Sequence, residues 1–297
     1  MMTITLKAPA KINLWLDIES KRPDGYHNIE SIMQTVTLFD ELRLERLPED
    51  KASNCRNISI SCTTSELACD ESNLCYRAAQ EFFSHLGFVA YSVAIHIEKH
   101  IPIAAGLAGG STDAAAALIG LNRLYEAGMS VDELCELGRN IGADVPFCIK
   151  RGISSVRGIG ERFKECKRLP GCHILIACAD EHISTPWAYK RLDELFDYSQ
   201  RDAAMFRFTE RLDGGNIRRI AEGLYNIFES AVLPIREGAR RLKNTMLDGG
   251  ALGAIMSGSG PSVFGIYDDI RDAKTTYRRL KEDGVTVFLC EPYYEGV

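Results

Sequence analysis

Alternating hydrophobic positions at the start of the chain predict a long first strand. Apolar side chains occupy every second position across residues 4–18. Because successive side chains of a strand point to opposite faces, the polar residues Lys11, Asn13 and Asp17 then share the other face. A polar strand face is most often exposed to solvent, so the alternation by itself favours a solvated position for these three side chains.

Hydrophobic periodicity divides the rest of the chain into strands and helices. Short apolar or alternating stretches predict strands at residues 32–38, 41–45, 58–62, 91–97, 147–157, 174–179, 252–256, 263–267 and 285–290. Helical spacing predicts helices at residues 73–86, 114–125, 130–141, 185 onward, 199–247 and 269–283. The mixture predicts an α+β protein. Gly158 and Gly160 mark the predicted passage between two domains, at residues 1–157 and 158–297.

The composition is that of an ordinary globular protein, and it narrows the function. The chain has 297 residues, of which 45% are hydrophobic, and a formal net charge of −6. This acidic balance argues against a nucleic-acid partner, which would select for a basic face. No apolar run is long enough to span a membrane, and the first residues lack the layout of a signal peptide. We therefore expect no membrane partner and a cytoplasmic location.

The ten cysteines of the chain are too widely spaced for paired zinc ligation. In a chain without a secretory signal, such residues are usually reduced thiols that pack as small hydrophobic side chains. We therefore expect neither disulfides nor a metal site built from the chain's own residues.

A glycine-rich stretch at residues 101–118 is the strongest candidate for a binding loop. Gly106, Gly109 and Gly110 permit close backbone approach, and three potential capping residues and an alanine run follow them. We expect Ser111, Thr112 and Asp113 to cap a helix that begins at the alanines. Free amides at the positive end of a helix dipole bind phosphate, although a structural turn before a core helix would also fit the pattern. The stretch lacks the GK[ST] signature of a Walker loop.

Three further segments carry candidate chemistry. The turn at residues 22–25 is followed by Tyr26 and His27, which could stack on and hydrogen-bond to a base, or could simply cover the core edge. Asp144 lies just past a predicted helix end, before a proline; an Asp turn is the simpler explanation. A Gly-Ser loop at residues 257–262 fits a hairpin turn, and is also a candidate second wall for the site of the glycine-rich stretch.

These segments together resemble the GHMP kinase superfamily of small-molecule kinases. The likeness runs from about residue 6 to residue 265, and its motifs occur in the family order. They are Pro9-Ala10-Lys11-Ile12-Asn13-Leu14, Arg22-Pro23-Asp24-Gly25-Tyr26-His27, Pro102 with Gly106-Leu107-Ala108-Gly109-Gly110-Ser111-Thr112, Gly142-Ala143-Asp144-Val145-Pro146 and Ser257-Gly258-Ser259-Gly260. Within the loop, Ala108 replaces a glycine and Thr112 replaces a serine of the usual family pattern.

The resemblance implies a fold and an activity. The fold would combine an N-terminal domain like ribosomal protein S5, with a left-handed βαβ crossover, and a ferredoxin-like C-terminal domain, with a cleft between them. The nearest branch of the superfamily moves the γ-phosphoryl group of ATP, with Mg²⁺, to the 2-hydroxyl of a methylerythritol linked to cytidine diphosphate. That reaction belongs to the non-mevalonate route to isoprenoid precursors.

The resemblance also implies roles for individual residues. Asp144 would accept the hydroxyl proton, Lys11 would hold Asp144 ionised, and Asn13 would orient the alcohol. The ATP-binding residues would be Pro102, Ala105, Gly106, Leu107, Ala108, Gly109, Gly110, Ser111 and Thr112. Whether Ser111 or Thr112 reaches Mg²⁺ stays open.

The cytosine end of the substrate would meet a separate group of residues. Tyr26 and Tyr189 would sandwich the ring, and His27 would hydrogen-bond the base edge, with Thr185 opening the helix that carries Tyr189. Residues 193–211 match nothing in the family pattern, and the oligomeric state is not predicted.

Two alternatives compete with this function. Another GHMP kinase would phosphorylate homoserine, mevalonate or a sugar, but Tyr26, His27 and Tyr189 have no cytosine to bind in such an enzyme. A non-catalytic ligand sensor of the same fold would need no base, which the presence of Lys11 and Asp144 argues against.

Overall fold

The computed structural model describes residues 2–48, 56–160, 162–198 and 204–295 of the chain. Within these residues the first half forms the following elements. They are β1 Met2–Lys21, β2 His27–Arg46, β3 Arg56–Cys62, α1 Leu74–His85, β4 Tyr91–Glu98, α2 Gly109–Leu124, α3 Val131–Ile141, α4 Val145–Lys150, β5 Ile153–Gly158 and β6 Arg162–Glu165.

The second half continues with shorter elements. They are β7 His173–Cys178, α5 Thr185–Leu195, α6 Met205–Gly214, α7 Ile217–Ala221, β8 Tyr225–Asn226, α8 Phe228–Val232, α9 Glu237–Asp248, β9 Gly253–Met256, β10 Ser262–Tyr267, α10 Ile270–Glu282 and β11 Thr286–Cys290. Among the described residues, no helix is both long and apolar enough to cross a membrane.

The described strands form two sheets. The larger has the order β3-β4-β2-β1-β8, and β5 and β6 extend it from β2. The strands β3 and β4 are parallel, because α1 connects them as a crossover helix. The smaller sheet has the order β11-β7-β10-β9 and is antiparallel throughout. The predicted α+β class is therefore confirmed.

Four packing regions of the described residues hold the helices on these sheets. The helices α1 to α4 cover one face of the large sheet, in a core centred on Phe82, Phe83 and Leu118. A second core joins the two sheets and contains Trp15, Phe208 and Phe264. The third lies between the small sheet and the helices α9 and α10. The fourth, with Leu16, Leu192 and Phe228, packs α5 and α8 against β1. The buried alanines of α2 let that helix approach the sheet closely, which fixes the position of its N-terminus.

Several helix ends predicted from local sequence are confirmed. Ser130 caps α3 with a complete capping box that includes Glu133, and Asn73 caps α1 by accepting from Cys75 N. Asp269 caps α10 in the same way, by accepting from Arg271 N. These ends depend on contacts within one helical turn, so their signal lies in the local sequence.

Other boundaries were wrong. The strand predicted at residues 147–157 begins only at Ile153, because residues 145–150 form α4, with Pro146 in the first turn, where its missing N–H costs nothing. Residues 32–38 and 41–45 are parts of one strand, β2. The stretch predicted to be helical from residue 199 to residue 247 contains several short helices and the strand β8. Its first residues, 199–203, lie outside the described residues, as do residues 49–55 of the loop before β3.

The proposed domain boundary after residue 157 stays a prediction. The strand β6 follows that boundary and still pairs with β5, and β8 from the second half pairs in parallel with β1 at Trp15. The two halves of the chain therefore share backbone hydrogen bonds in the large sheet.

Candidate active site

The glycine-rich stretch forms a tight loop that leads into α2. Ala104, Gly106 and Ala108 have positive φ angles of 54°, 77° and 59°. The loop is held to β1, because Lys11 N donates to Leu107 O at 3.1 Å. A Cβ on Gly106 would lie 2.2 Å from Ser257 O, so glycine is required there by a close approach of two backbones.

The start of α2 differs from the prediction. The helix begins at Gly109, after the left-handed Ala108, so Ser111, Thr112 and Asp113 lie inside its first turns and do not cap it. Thr112 N makes an early intrahelical bond, to Ala108 O at 2.9 Å. The amides that precede it belong to Gly109, Gly110 and Ser111, and they form the free positive end of the helix.

Lys11 and Asp144 form an ion pair near this helix end. Lys11 Nζ lies 3.7 Å from Asp144 Oδ2, and it also donates to Asn13 Oδ1 at 2.7 Å and to Gly106 O at 3.3 Å. The Lys11 side chain is 5% exposed and that of Asp144 is 30% exposed. The ammonium group is therefore fixed by protein contacts, while the carboxylate remains open to the cleft.

The expected solvation of the polar face of β1 was wrong, because Lys11, Asn13 and Asp17 are all buried. The loop at residues 257–262 contacts this face at Asn13, where Gly258 N donates to Oδ1 at 3.0 Å. Ser257 Oγ donates to Gly106 O at 3.0 Å, so the Gly-Ser loop and the glycine-rich loop are in contact.

Asn13 is placed beside Lys11, with its polar atoms bound to the protein. Its Oδ1 accepts from Lys11 and Gly258, and its Nδ2 donates to Ser31 Oγ at 2.9 Å. This geometry makes Asn13 a positioning residue for the Lys11 ammonium group. Its predicted contact with a substrate alcohol stays a prediction.

Two clefts are lined in part by residues at the N-terminus of α2. One has a volume of about 320 Å³ and is lined by residues that include Asn73, Lys99, Pro102 and Gly110. The other has a volume of about 730 Å³, and its lining includes Tyr26, His27, Ser111, Thr185, Asp144 and Tyr189. The structure thus brings the predicted substrate residues, apart from Asn13, together with the predicted base in one cleft.

An aromatic cluster forms the far end of the larger cleft. The rings of His27 and Tyr189 stack with centroids 4.7 Å apart and planes 22° apart, and Phe228 packs against Tyr189 edge-on. Burial raises the pKa of Tyr189 to about 12. Tyr26, in contrast, is 68% exposed on the turn before β2. Thr185 Oγ1 lies 2.8 Å from Ser259 Oγ, which joins the start of α5 to the Gly-Ser loop.

The sequence analysis missed two groups of charged residues at these clefts. Asp193 binds His27 at the aromatic end, with 2.7 Å between Oδ1 and Nε2. Beneath the glycine-rich loop, the buried Lys99 bridges Asp40 and Asp113 and lies 2.8 Å from Asp113 Oδ2. Neither Asp193 nor Lys99 belongs to a recognisable sequence motif. Their pairing became visible only when the fold placed distant residues beside them.

Comparison with known proteins defines the class. Residues 73–152 match the GHMP kinases N terminal domain, and residues 205–286 match the GHMP kinases C terminal model. A crystal structure of homoserine kinase from Cytophaga hutchinsonii shares the fold, with a TM-score of 0.73 at 20% identity over 98% of this chain and 95% of that one. The family matches identify the chain as a GHMP kinase, a class of ATP-dependent small-molecule kinases.

Relatives of higher identity narrow the assignment. The chain is 45% identical to 4-diphosphocytidyl-2-C-methyl-D-erythritol kinase of Caldicellulosiruptor saccharolyticus, over 93% of this chain and 92% of the relative. It is 39% identical to the enzyme of that name from Clostridioides difficile, over 99% and 97% of the two chains. A crystal structure of 4-(cytidine 5'-diphospho)-2C-methyl-D-erythritol kinase matches with a TM-score of 0.79 and 28% identity, over 97% and 98%. The chain therefore belongs to the 4-diphosphocytidyl-2-C-methyl-D-erythritol kinases, a family of GHMP kinases.

Proposed function

We propose that this protein transfers the γ-phosphoryl group of ATP to the 2-hydroxyl of 4-diphosphocytidyl-2-C-methyl-D-erythritol, a step of the methylerythritol phosphate route to isoprenoid precursors. The observation that carries the proposal is the position of the Lys11–Asp144 pair. Asp144 of this pair lines the larger cleft together with Ser111 of the first turn of α2, and Gly109 and Gly110 of the same turn line the smaller cleft. The nucleotide would occupy the smaller cleft and the alcohol the larger one.

The phosphates would bind to the backbone of the glycine-rich loop. These residues are Pro102 and 105–112. Within them, the amides of Gly109, Gly110 and Ser111 belong to the first turn of α2, where an α-helix offers no intrahelical partner. Such amides and the helix dipole stabilise the charge that spreads over the phosphoryl oxygens in the transition state. Lys99 Nζ is held by the buried side chains of Asp40 and Asp113, whereas Lys11 Nζ lies 3.7 Å from Asp144 Oδ2. Lys11 would therefore supply the positive charge beside Asp144.

Asp144 would accept the proton of the attacking hydroxyl. An aspartate in water has a pKa of about 3.9 and is a weak base, so proton transfer would be late, as a loose phosphoryl-transfer transition state allows. Lys11 would keep the carboxylate ionised and stabilise the developing charge on the attacking oxygen. Asn13 would hold Lys11 at 2.7 Å in this position.

The residues beside α2 fit a magnesium ion that accompanies the nucleotide. Mg²⁺ prefers oxygen ligands and is usually held by one or two side chains together with phosphates and water. Ser111 lines the cleft that contains Asp144, whereas Thr112 is buried, which favours the Ser111 hydroxyl as the ligand. When bound, the ion would supply positive charge that offsets the charge of the phosphates.

The cytosine ring would lie between Tyr26 and Tyr189. Tyr189 is fixed by its contacts with His27 and Phe228, so it offers a preformed surface, and the exposed ring of Tyr26 is available to cover the base. His27 would hydrogen-bond the base edge. The partner of the protein is therefore a small-molecule substrate.

Three expectations from the sequence stay predictions: a cytoplasmic location, no nucleic-acid partner and no membrane partner.

A coupled ADP-release assay tests the proposed function. Purified protein would be assayed with ATP, Mg²⁺ and one alcohol at a time: the cytidylylated substrate, free methylerythritol, homoserine or mevalonate. We expect kcat/KM for the cytidylylated compound to exceed the others by at least about 10⁴-fold, because polar groups built to bind the base are left unpaired without it. Equal use of another alcohol would refute the substrate assignment, and no ADP release with any alcohol would favour a sensor.

A further inference from the structure

The imidazole of His27 is held by α5 on both its face and its edge. Tyr189 and Asp193 are four residues apart on this helix, so they lie on the same side of it. Tyr189 stacks on the imidazole ring, while Asp193 Oδ1 lies 2.7 Å from Nε2. The His27 side chain is only 6% exposed, so its orientation is set by these contacts.

The Asp193 carboxylate also binds two groups besides His27. Lys21 Nζ, from the end of β1, donates to Oδ2, and the Tyr198 hydroxyl donates to Oδ1 at 3.1 Å. Burial would raise the pKa of Asp193, but the hydrogen bonds from Lys21 and His27 outweigh burial and lower it. The carboxylate is therefore ionised and can only accept hydrogen bonds.

An acceptor at Nε2 determines the tautomer of a neutral imidazole. His27 must carry its proton on Nε2 to donate to Asp193, which leaves a lone pair on Nδ1. Because His27 lines the larger cleft and Asp193 occupies Nε2, the acceptor available to a ligand in that cleft would be Nδ1.

We propose that Asp193 is a positioning residue that makes this cleft select cytosine over uracil, by holding His27 in the Nε2–H tautomer. The inference rests on the proposed function, because it takes the base to lie beside His27. Cytosine presents an amino donor on the edge where uracil presents a carbonyl oxygen. An acceptor at Nδ1 pairs with the amino group, whereas a carbonyl would place two acceptors against each other and leave both unpaired.

The test compares the cytidine substrate with its uridine counterpart. The ratio of the two kcat/KM values would be measured for wild type, Asp193→Asn and the control Glu194→Gln. Glu194 is the next residue of α5, and its exposed side chain pairs only with Arg191 among the described residues, at 2.8 Å. An asparagine can donate to Nε2 and so permits the opposite tautomer. We expect Asp193→Asn to lower the cytidine-to-uridine ratio by about tenfold or more, with the KM for ATP unchanged, and Glu194→Gln to behave as wild type.

A second measurement needs no variant of Asp193. ¹⁵N NMR of histidine-labelled wild type, with the His27 signals assigned by their loss in His27→Gln, should show a protonated Nε2 and a non-protonated Nδ1. A proton on Nδ1 would overturn the inference even if Asp193→Asn fails to fold. An unchanged cytidine-to-uridine ratio in a folded Asp193→Asn would overturn it too, while leaving the proposed function intact. A wild type that does not phosphorylate the cytidine substrate would refute the proposed function itself, and the inference with it.

Discussion

Lys11 and Asp144 meet with 3.7 Å between Nζ and Oδ2, although one comes from the first strand and the other from the residue before α4. The lysine is enclosed by Asn13 and the glycine-rich loop, whereas the carboxylate faces the cleft. This difference in exposure suits the proposed roles, in which Lys11 is a fixed positive charge and Asp144 an accessible base. It also lets the role of Asp144 be tested by substitution, because changing a partly exposed side chain does not disturb the core.

Asp144→Asn should lower kcat by about 10²–10⁴-fold, since the amide has a similar shape but cannot accept the proton. The KM for the cytidylylated substrate should change little, and so should the melting temperature. Steady-state kinetics together with thermal unfolding would measure these effects. The matched control is Asp132→Asn, an exposed aspartate paired with Lys150 at 2.9 Å. Near wild-type kcat in Asp144→Asn would show that the proton leaves by another route.

The two neighbouring glycines of the loop should respond differently to substitution. The glycine-rich pattern by itself predicts that Gly109→Val weakens ATP binding and leaves the fold intact, because the added branch would intrude where phosphate approaches the backbone. In the structure, a Cβ on Gly109 points inward, 2.9 Å from Lys99 Nζ and 3.2 Å from Ile101 Cγ2, so Gly109→Ala should lower the melting temperature. A Cβ on Gly110 meets only Leu74 Cδ1, at an ordinary 3.4 Å, and lines the smaller cleft.

Gly110→Ala should therefore weaken nucleotide binding with little loss of stability. Isothermal titration with ADP, beside thermal unfolding, would distinguish the two variants. Gly171→Ala, where the added Cβ meets nothing within 4 Å, is the control for the general effect of the substitution. If Gly110→Ala bound ADP as wild type does, the loop would be a structural turn.

Tyr26→Ala offers a clean test of the stacking that we propose for cytosine. We expect it to cost about 1–3 kcal/mol of binding free energy for the cytidylylated substrate and none for ATP. Because Tyr26 is exposed, the melting temperature should hold. Tyr189→Ala should also weaken binding of the cytidylylated substrate. Because it removes the ring contacts with His27 and Phe228, it should destabilise the fold as well. Equal substrate affinity in wild type and Tyr26→Ala would refute the sandwich.

The buried Asp113 predicts a pH dependence of stability. Burial raises its pKa to about 8, despite the nearby Lys99. A folded pKa above the unfolded value means that the native state holds the proton more tightly, so the stabilising contribution is complete below about pH 4 and is lost as the pH rises towards 8.

Urea unfolding at about pH 5 and about pH 8 would measure this contribution. The free energy of unfolding of wild type should fall more steeply between the two pH values than that of Asp113→Asn, which cannot titrate. Asp132→Asn again serves as the control, because the hydrogen bond from Lys150 lowers the pKa of Asp132 and moves its titration below this range. Parallel slopes in wild type and Asp113→Asn would contradict the prediction.

Local features of this protein are readable from its amino-acid sequence. The capping box at Ser130, the turn before Tyr26 and the strands of the small sheet follow from interactions within a few residues. The motifs that identify the kinase class are local as well, since a phosphate loop must offer its amides at one place in the chain. The resemblance of these motifs to GHMP kinases therefore predicted the family before any contact was known.

The tertiary structure alone decided how charged and polar groups are paired. Lys11 and Asn13 on the polar face of β1 are buried, and the distant residues 257–262 contact Asn13 there. Asp193 holds His27, and Asp113 pairs with Lys99 instead of capping α2. Periodicity reports which side of an element is apolar, but the cost of burying a charge depends on a partner that is often distant in sequence. Only the folded chain specifies that partner.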